Sequence, residues 1–344
     1  MTAVNPASAL PPSTASRQTI WALAGVLVLA AAAAFSNSFA GAFVYDDLTG
    51  IVENPTIRHL WPPGTVLSPP PTAGTGGRPV ANFSLALSYA LGGGAPWGFH
   101  ALNLLIHALG ALALFGVVRR TLLLPALRPR FGPHATMLAF TIALLWAVHP
   151  LSVSVVTYLS QRTEELMALF YLLTLYCFLR AADGAPRRWL PLAVASCWLG
   201  MASKEVMVTA PVLVFWFDRT FVAGSWRAAW RMRWRFHLSL AAAWIAPALL
   251  AGVAVALRRA PAVAFLDGSF FLLLAPTSSV VPIVFQPIAE NRCYLPLAAA
   301  VTGLVLGLHT LLGRRAAAVG AGLAAAWGAL AFQRDTVYVS ELSV

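Results

Sequence analysis

Long runs of apolar residues recur along this chain of 344 residues, and they limit the folds that it can adopt. A hydrophobic stretch of about 18 or more residues with few charges is typical of a transmembrane helix. Only 10% of the residues are charged and 59% are hydrophobic, whereas a soluble domain is about 25% charged. The sequence therefore predicts an all-α membrane protein, a polytopic helical bundle with about nine or ten transmembrane helices.

The net charge of +11 follows a pattern along the chain that argues against a nucleic-acid partner. The arginines cluster in short loops between apolar runs, as expected of cytoplasmic loops in a membrane protein. Because the positive charge is explained by topology, we predict that the partner of this chain is a lipid bilayer and not a nucleic acid.

The arginine clusters also predict the orientation of the chain. Residues 1–18 are rich in Ser, Pro and Ala and are predicted to form a disordered cytoplasmic tail, and Arg17 keeps that end inside. The first apolar segment, about 19–43, is interpreted as a retained anchor and not as a cleaved signal peptide. Residues 44–98 then form a long first external loop, within a membrane domain predicted at 19–332. A short C-terminal tail is predicted at 333–344.

The alternation of arginine-rich and mixed-charge loops fails after Arg235. If every later apolar run spans the membrane, Arg314-Arg315 falls outside, against the positive-inside rule. One re-entrant run within 236–288 restores the rule and gives nine spans. Three prolines at 276, 282 and 287 suit a broken element, which is allowed at membrane depth only where protein or a cavity satisfies its backbone. Whether 236–288 holds one span or two is left open.

Acidic and basic side chains gather at the ends of segments that are predicted to be external. Asp46-Asp47 follows the first apolar segment directly, and a charge near hydrocarbon costs from about 2.5 kcal/mol upward, so it is a functional candidate. Arg and Lys can hold a phosphate leaving group, and a carboxylate can take the proton of an attacking hydroxyl. The external set comprises Asp46, Asp47, Glu53, Arg58, Arg78, His100, His149, Gln161, Arg162, Glu164, Glu165, Lys204, Glu205, Glu290 and Arg292.

Each of these groups also has a structural interpretation. Asp46-Asp47 could cap a helix, and Arg162 with Glu165 could form a local pair three residues apart on a helix. Lys204-Glu205 could be solvated loop charges. His100 is more simply a packed histidine, because no acidic partner lies at metal-ligand spacing. Cys177, Cys197 and Cys293 fit neither a metal site nor a disulfide framework, so no metal site is predicted and a divalent cation requirement is left open.

A series of short motifs occurs in a recognisable order along most of the chain. The series comprises Phe-Val-Tyr-Asp-Asp at 43–47, Asn54-Pro55, Arg78-Pro79, Pro96 to His100, Trp146 to Pro150, Tyr158 to Glu165, Ser203-Lys204-Glu205, Asp218-Arg219 and Glu290-Asn291-Arg292. Over about residues 20–340 it resembles the membrane part of the transmembrane and tetratricopeptide-repeat O-mannosyltransferase family and of its bacterial relatives. That resemblance implies a GT-C glycosyltransferase.

The resemblance implies a function and a site. Such enzymes are expected to move a sugar, mannose-like, from a polyprenyl-phosphate carrier to a protein Ser or Thr hydroxyl, with inversion, at the external face of a bacterial cytoplasmic membrane. Asp46 would be the catalytic base, with Asp47 beside it. Residues carried over for the lipid phosphate are Arg162, Lys204 and Arg292. Residues carried over for the pocket are Arg78, His100, His149, Gln161, Glu165, Glu205 and Glu290.

Two departures from the family keep a second interpretation open. No 34-residue repeat follows the stretch Tyr338 to Glu341, where relatives continue into tetratricopeptide repeats. The region between Leu257 and Phe265 is also short for the family. The alternative to an active enzyme is therefore an inactive or truncated membrane scaffold or partner that descends from one.

Overall fold

The computed structural model describes residues 15–184, 186–244 and 294–335. Every regular element in these ranges is helical. The longer helices are α1 (Arg17–Ala34), α2 (Pro79–Gly92), α3 (Pro96–Leu122), α4 (Ala135–Ala147), α5 (Arg162–Ala182), α6 (Pro186–Met201), α7 (Ala210–Phe217), α8 (Trp226–Ala241), α9 (Tyr294–Leu312) and α10 (Ala316–Asp335). The predicted all-α bundle is confirmed.

Single helical turns connect these helices. They are Ser36–Ala40, Leu48–Val52, Pro55–Ile57, Pro63–Val66, Arg128–Phe131, Gly132–His134, Pro150–Ser152, Val153–Val156, Leu159–Gln161, Glu205–Thr209, Asp218–Val222, Ala242–Trp244 and Gly313–Arg315.

Four stretches in the described ranges are long and apolar enough to cross a membrane: Arg17–Ala34, Pro96–Leu122, Leu159–Ala182 and Ala316–Asp335. A fifth is a broken pair, Arg128–Ala147 with Pro150–Val156, bent by 50°. The count for the whole chain stays a prediction. Residues 1–14 and 336–344 of the predicted tails, and the part of 236–288 beyond Trp244, lie outside the described residues.

Local chemistry explains where several helices begin. The Ser16 side chain caps α1 by accepting a hydrogen bond from the Thr19 amide at 3.1 Å. Pro79 and Pro96 occupy the first positions of α2 and α3, where the missing N–H costs nothing. The apolar run after α1 does not continue it, because the chain turns at Ser36–Ala40. The first span is therefore shorter than the run 19–43 predicted.

Helix α3 lies at the centre of the bundle and packs on α1, α4 and α5. Trp146 of α4 is fully buried in this core. At Gly116, α3 comes so close to α5 that a Cβ atom would lie 2.6 Å from the Tyr176 ring. A residue without a side chain is needed there, since real Cβ atoms do not approach so closely.

Two further apolar clusters complete the described fold. One joins α5 to α6, α7 and α8 around Phe178, Cys197 and Met207. The other lies beneath the predicted external loop, around Ile57, Leu85 and Leu159. This small cluster holds the loop and α2 against the ends of α3 and α5. We call that end of the bundle, with the side chains of Asp46, Arg162, Lys204 and Glu205, the polar end.

Candidate active site

The acidic pair follows a backbone turn that few residues other than glycine adopt. Tyr45 has a φ of 46°, in the left-handed region where a side chain is strained and where functional sites often lie. After this turn the two carboxylates differ in environment. Asp46 is exposed, whereas Asp47 is 0% exposed. The two neighbours are therefore not equivalent.

Asp47 is held by three hydrogen bonds. Its Oδ2 accepts from the Val44 amide at 3.1 Å. Its Oδ1 accepts from the Ser160 amide at 2.7 Å and from the Ser160 hydroxyl at 2.5 Å. Burial nevertheless raises the pKa of Asp47 to about 6, although the bonds from Ser160 and Val44 lower it. Asp47 therefore fastens the acidic turn to the segment before α5.

Asp46 is positioned by a different residue of the same segment. Its backbone amide donates a hydrogen bond to the Tyr158 hydroxyl at 3.0 Å. Burial is the main cause that raises the pKa of Tyr158 above its ordinary value, so the phenol stays protonated at neutral pH. The half-buried ring therefore orients the turn while the Asp46 carboxylate remains open to solvent.

Arg162 lies beneath the acidic turn and is 1% exposed. Its Nε donates to Asn103 Oδ1 at 2.6 Å and its Nη2 to the Phe99 carbonyl at 2.6 Å. Its Nη1 donates to the Ser84 carbonyl at 3.0 Å and to Ser88 Oγ at 2.8 Å. The guanidinium thus joins α2, α3 and α5. The phosphate role stays a prediction, and the geometry shows a side chain already committed to protein acceptors.

Two buried polar side chains beside this network have no side-chain hydrogen bond within the described part of the chain, although both lie within the electrostatic reach of Arg162. Glu165 and His100 are each 1% exposed. Neither carboxylate oxygen of Glu165 and neither ring nitrogen of His100 forms a hydrogen bond to any residue that the structure describes. Such groups in a native protein usually meet water or a ligand. That Glu165 and His100 shape a pocket stays a prediction.

Two ion pairs lie at the same end. Lys204 Nζ is 2.6 Å from Glu164 Oε1, with side chains 13% and 5% exposed. Arg78 Nη2 lies 3.1 Å and 3.2 Å from the two oxygens of Glu205. The Val80 amide also donates to the Ala202 carbonyl at 3.1 Å. These contacts bring the motif at 203–205 against the start of α2, with two cations near solvent.

The remaining predicted residues are placed as follows. His149 Nδ1 accepts from the Leu151 amide at 3.1 Å, and its ring meets Trp327 at a centroid distance of 4.4 Å. Gln161 is half-buried at the last position before α5. Glu290 and Arg292 lie outside the described residues. Among the residues described, no group of three or more His, Cys, Asp or Glu side chains is arranged to hold a metal ion.

Sequence reasoning missed several side chains that build this site. Tyr158 and Ser160 stand within the motif Tyr158 to Glu165 but were given no role, and neither was Asn103, three residues after the motif that ends at His100. Ser88 carries no signal in the sequence that marks it as a partner of Arg162. Asp335, 1% exposed at the end of α10, accepts a hydrogen bond from the Thr157 hydroxyl. An acid at the end of an apolar run was a signal that could have identified Asp335.

Helices of membrane-spanning length with charged and polar groups gathered at one end define a polytopic membrane protein with a polar site. A family model described as dolichyl-phosphate-mannose-protein mannosyltransferase matches residues 73–250. The chain belongs to that family.

Curated relatives carry related names. The chain is 31% identical over 202 residues to the Protein O-mannosyl-transferase Tmtc2 of Drosophila melanogaster, which covers 54% of this chain and 20% of the relative. It is 31% identical over 237 residues to the human Protein O-mannosyl-transferase TMTC4, covering 62% of this chain and 30% of the relative. The chain therefore spans less than a third of the length of these relatives. No solved structure shows a significant match.

Proposed function

We propose that this chain is a membrane glycosyltransferase that moves a mannose-like sugar from a polyprenyl-phosphate carrier to a Ser or Thr hydroxyl of a protein. The observation that carries the proposal is the exposed Asp46 carboxylate beside the buried Asp47, at the polar end of a member of this family. The printed names of the relatives support transfer of mannose to protein oxygen. We place the reaction at the external face of a bacterial cytoplasmic membrane, because the arginine clusters assign the opposite face to the cytoplasm.

In the proposed reaction the acceptor oxygen forms a bond to the anomeric carbon while the bond from that carbon to the phosphate oxygen breaks. The acceptor proton passes to Asp46, and the electron pair leaves with the polyprenyl phosphate. Attack opposite the leaving group inverts the anomeric centre. One carboxylate suffices, because a phosphate leaves without a general acid.

Asp46 suits the role of base better than Asp47 does. Both oxygens of Asp47 already accept hydrogen bonds from protein groups, and the side chain has no exposed surface. Asp46 is exposed, and its backbone is anchored by Tyr158. A base needs both a fixed position and access to the substrate proton.

The charge of the leaving phosphate is assigned to cations near solvent at the polar end. Lys204 and Arg78 are partly exposed, and each already has a carboxylate partner. The phosphate of the donor would replace Glu164 as the partner of Lys204, or Glu205 as the partner of Arg78. Arg292 remains a candidate from its motif alone. Arg162 acts instead by holding the helices that carry the pocket.

The test is glycosyl transfer by the purified full chain in detergent, with polyprenyl-phosphate mannose and a Ser/Thr-rich peptide. Asp46→Asn should lower kcat by at least about 100-fold, since a general base contributes about 10²- to 10⁴-fold. The matched control is Asp183→Asn, an exposed acid paired with Arg120 at the opposite end of α5. Transfer that persists in Asp46→Asn would reject Asp46 as the base. A folded wild type that transfers no sugar from any donor would favour the alternative interpretation as an inactive membrane scaffold.

A further inference from the structure

Helix α8 presents a row of tryptophans on its surface. Trp226, Trp230 and Trp234 repeat every fourth residue and are 48%, 45% and 44% exposed. Residues four apart lie on one face of a regular helix, and Trp226 and Trp230 precede the bend at Arg233 whereas Trp234 follows it. An adjacent side of the helix packs into the bundle through Ala229 and Leu240, which are fully buried. The tryptophan row therefore runs along the flank of a docked helix.

A row of arginines runs beside it. Arg227, Arg231 and Arg235 each follow a tryptophan by one position, and all three are exposed. None of them forms an ion pair with a residue in the described ranges. The three guanidinium groups therefore have hydrogen-bond donors available for an anion outside the protein.

The fourth arginine of the helix, Arg233, forms a buried ion pair. Arg233 donates to Asp218 Oδ1 at 2.8 Å, and His237 Nε2 lies 3.0 Å from Asp218 Oδ2. Asp218 has no exposed surface, and the helix bends at Arg233, where φ is −138°. This buried contact ties the bend of α8 to the turn that follows α7.

The tryptophan row continues into apolar surface on α7. The ring of Phe215 lies 5.0 Å from Trp226 and 6.2 Å from Trp230. On the same short helix Val212 is 56% and Trp216 60% exposed. An apolar surface that borders a row of tryptophans and then a row of arginines matches the sequence of layers at a membrane boundary.

We propose that the first part of α8, from Trp226 to Arg235, lies in the membrane interface at the end opposite Asp46, and that Arg227, Arg231 and Arg235 bind the phosphates of anionic phospholipids there. The tryptophans would sit at headgroup depth, with the arginines reaching the charged layer above them. Charge complementarity selects anionic lipid over zwitterionic lipid. This inference does not depend on the proposed transferase activity.

The test uses the full chain in neutral detergent, titrated with fluorescent phosphatidylglycerol and, separately, phosphatidylcholine. The wild type should prefer phosphatidylglycerol at low salt. The triple variant Arg227→Gln, Arg231→Gln, Arg235→Gln should lose affinity by about fivefold for each arginine removed. The matched control replaces the exposed Arg128, Arg130 and Arg187 by Gln at the same end of the bundle. It should keep the preference.

Three results would overturn the proposal. They are equal affinity for both lipids in the wild type, an unchanged preference in the triple variant, and displacement of the lipid by inorganic phosphate at equal concentration. Circular dichroism and gel filtration would confirm that the variants fold. As a second measurement, brominated lipids in nanodiscs should quench tryptophan fluorescence more strongly when the bromine lies near the headgroup than near the chain end, and a variant with Trp226, Trp230 and Trp234 replaced by Phe should show a smaller difference. A difference as large in that variant as in the wild type would remove α8 from the interface.

Discussion

Ser160 donates two hydrogen bonds to a single oxygen of Asp47, from its amide at 2.7 Å and from its hydroxyl at 2.5 Å. The two residues are 113 positions apart in the chain. Their contact joins the turn after α1 to the turn before α5 and places Asp46 at the surface between them. The geometry of the exposed acid therefore depends on its buried neighbour.

The raised pKa of Asp47 predicts a pH dependence of stability. Its pKa is about 6 in the folded chain against a reference of 3.8, so between these values the folded state binds more protons than the unfolded state. Stability from this group therefore rises as the pH falls from about 7 towards about 4. Thermal unfolding in detergent at several pH values measures it, and Asp47→Asn should flatten the dependence. A dependence that is identical in the variant would contradict the assignment.

Arg162→Ala should destabilise the fold by about 3–5 kcal/mol, because it removes a buried charged group and leaves its acceptors unpaired. The acceptors are Asn103, Ser88 and the carbonyls of Ser84 and Phe99. Denaturant or thermal unfolding gives the free energy. Arg58→Ala, at a less buried arginine of the same end, is the comparison. Arg162→Ala that keeps wild-type stability but no longer binds donor would instead support the phosphate role.

The ion pair of Lys204 and Glu164 should contribute to the free energy of unfolding, and Lys204 should also contribute to donor binding. A double-mutant cycle with Lys204→Met and Glu164→Gln should give a coupling free energy of about 1–3 kcal/mol, since the pair is largely buried. Kinetics should show a higher KM for the polyprenyl-phosphate donor in Lys204→Met. Arg188→Met, at the opposite end, should leave that KM unchanged. A coupling near zero would show that the pair is not formed in the folded protein.

Gly116→Ala should destabilise the bundle by about 1–3 kcal/mol, because the added methyl group would overlap the Tyr176 ring. Gly25→Ala is the matched control, since nothing lies within 4 Å of a Cβ at that position. Replacing Tyr176 by Leu should restore part of the loss in Gly116→Ala. An unchanged unfolding temperature in Gly116→Ala would mean that α3 and α5 pack less closely than described.

The sequence predicted the helices well where a long apolar run has a clear boundary. Such runs form the helices Pro96–Leu122, Tyr294–Leu312 and Ala316–Asp335. The run 19–43 was extended too far, because it passes over the polar residues Ser36-Asn37-Ser38, where the chain turns at Ser36–Ala40. A long apolar window averages over so short a polar interruption.

The candidate site was harder to predict, because its contacts join distant parts of the chain. Asp46 and Asp47 have the same chemistry, and their different partners, Ser160 and Val44 for Asp47 and Tyr158 for Asp46, make them different. Arg162 was assigned to the lipid phosphate, with a local pair to Glu165 as the structural alternative. The structure gives it hydrogen-bond acceptors on α2 and α3, 59 or more positions earlier. No local pattern specifies such partners.

The left-handed turn at Tyr45 makes the identity of the exposed acid a matter of chain register. Inserting one residue between Val44 and Asp46 would move Asp46 into the buried position and leave the surface to a different side chain. In a relative with a single acid at this turn, the position of that acid therefore decides whether it is buried or exposed. In an alignment, an offset of one residue here would exchange the buried acid that binds Ser160 with the exposed acid that we propose as the base.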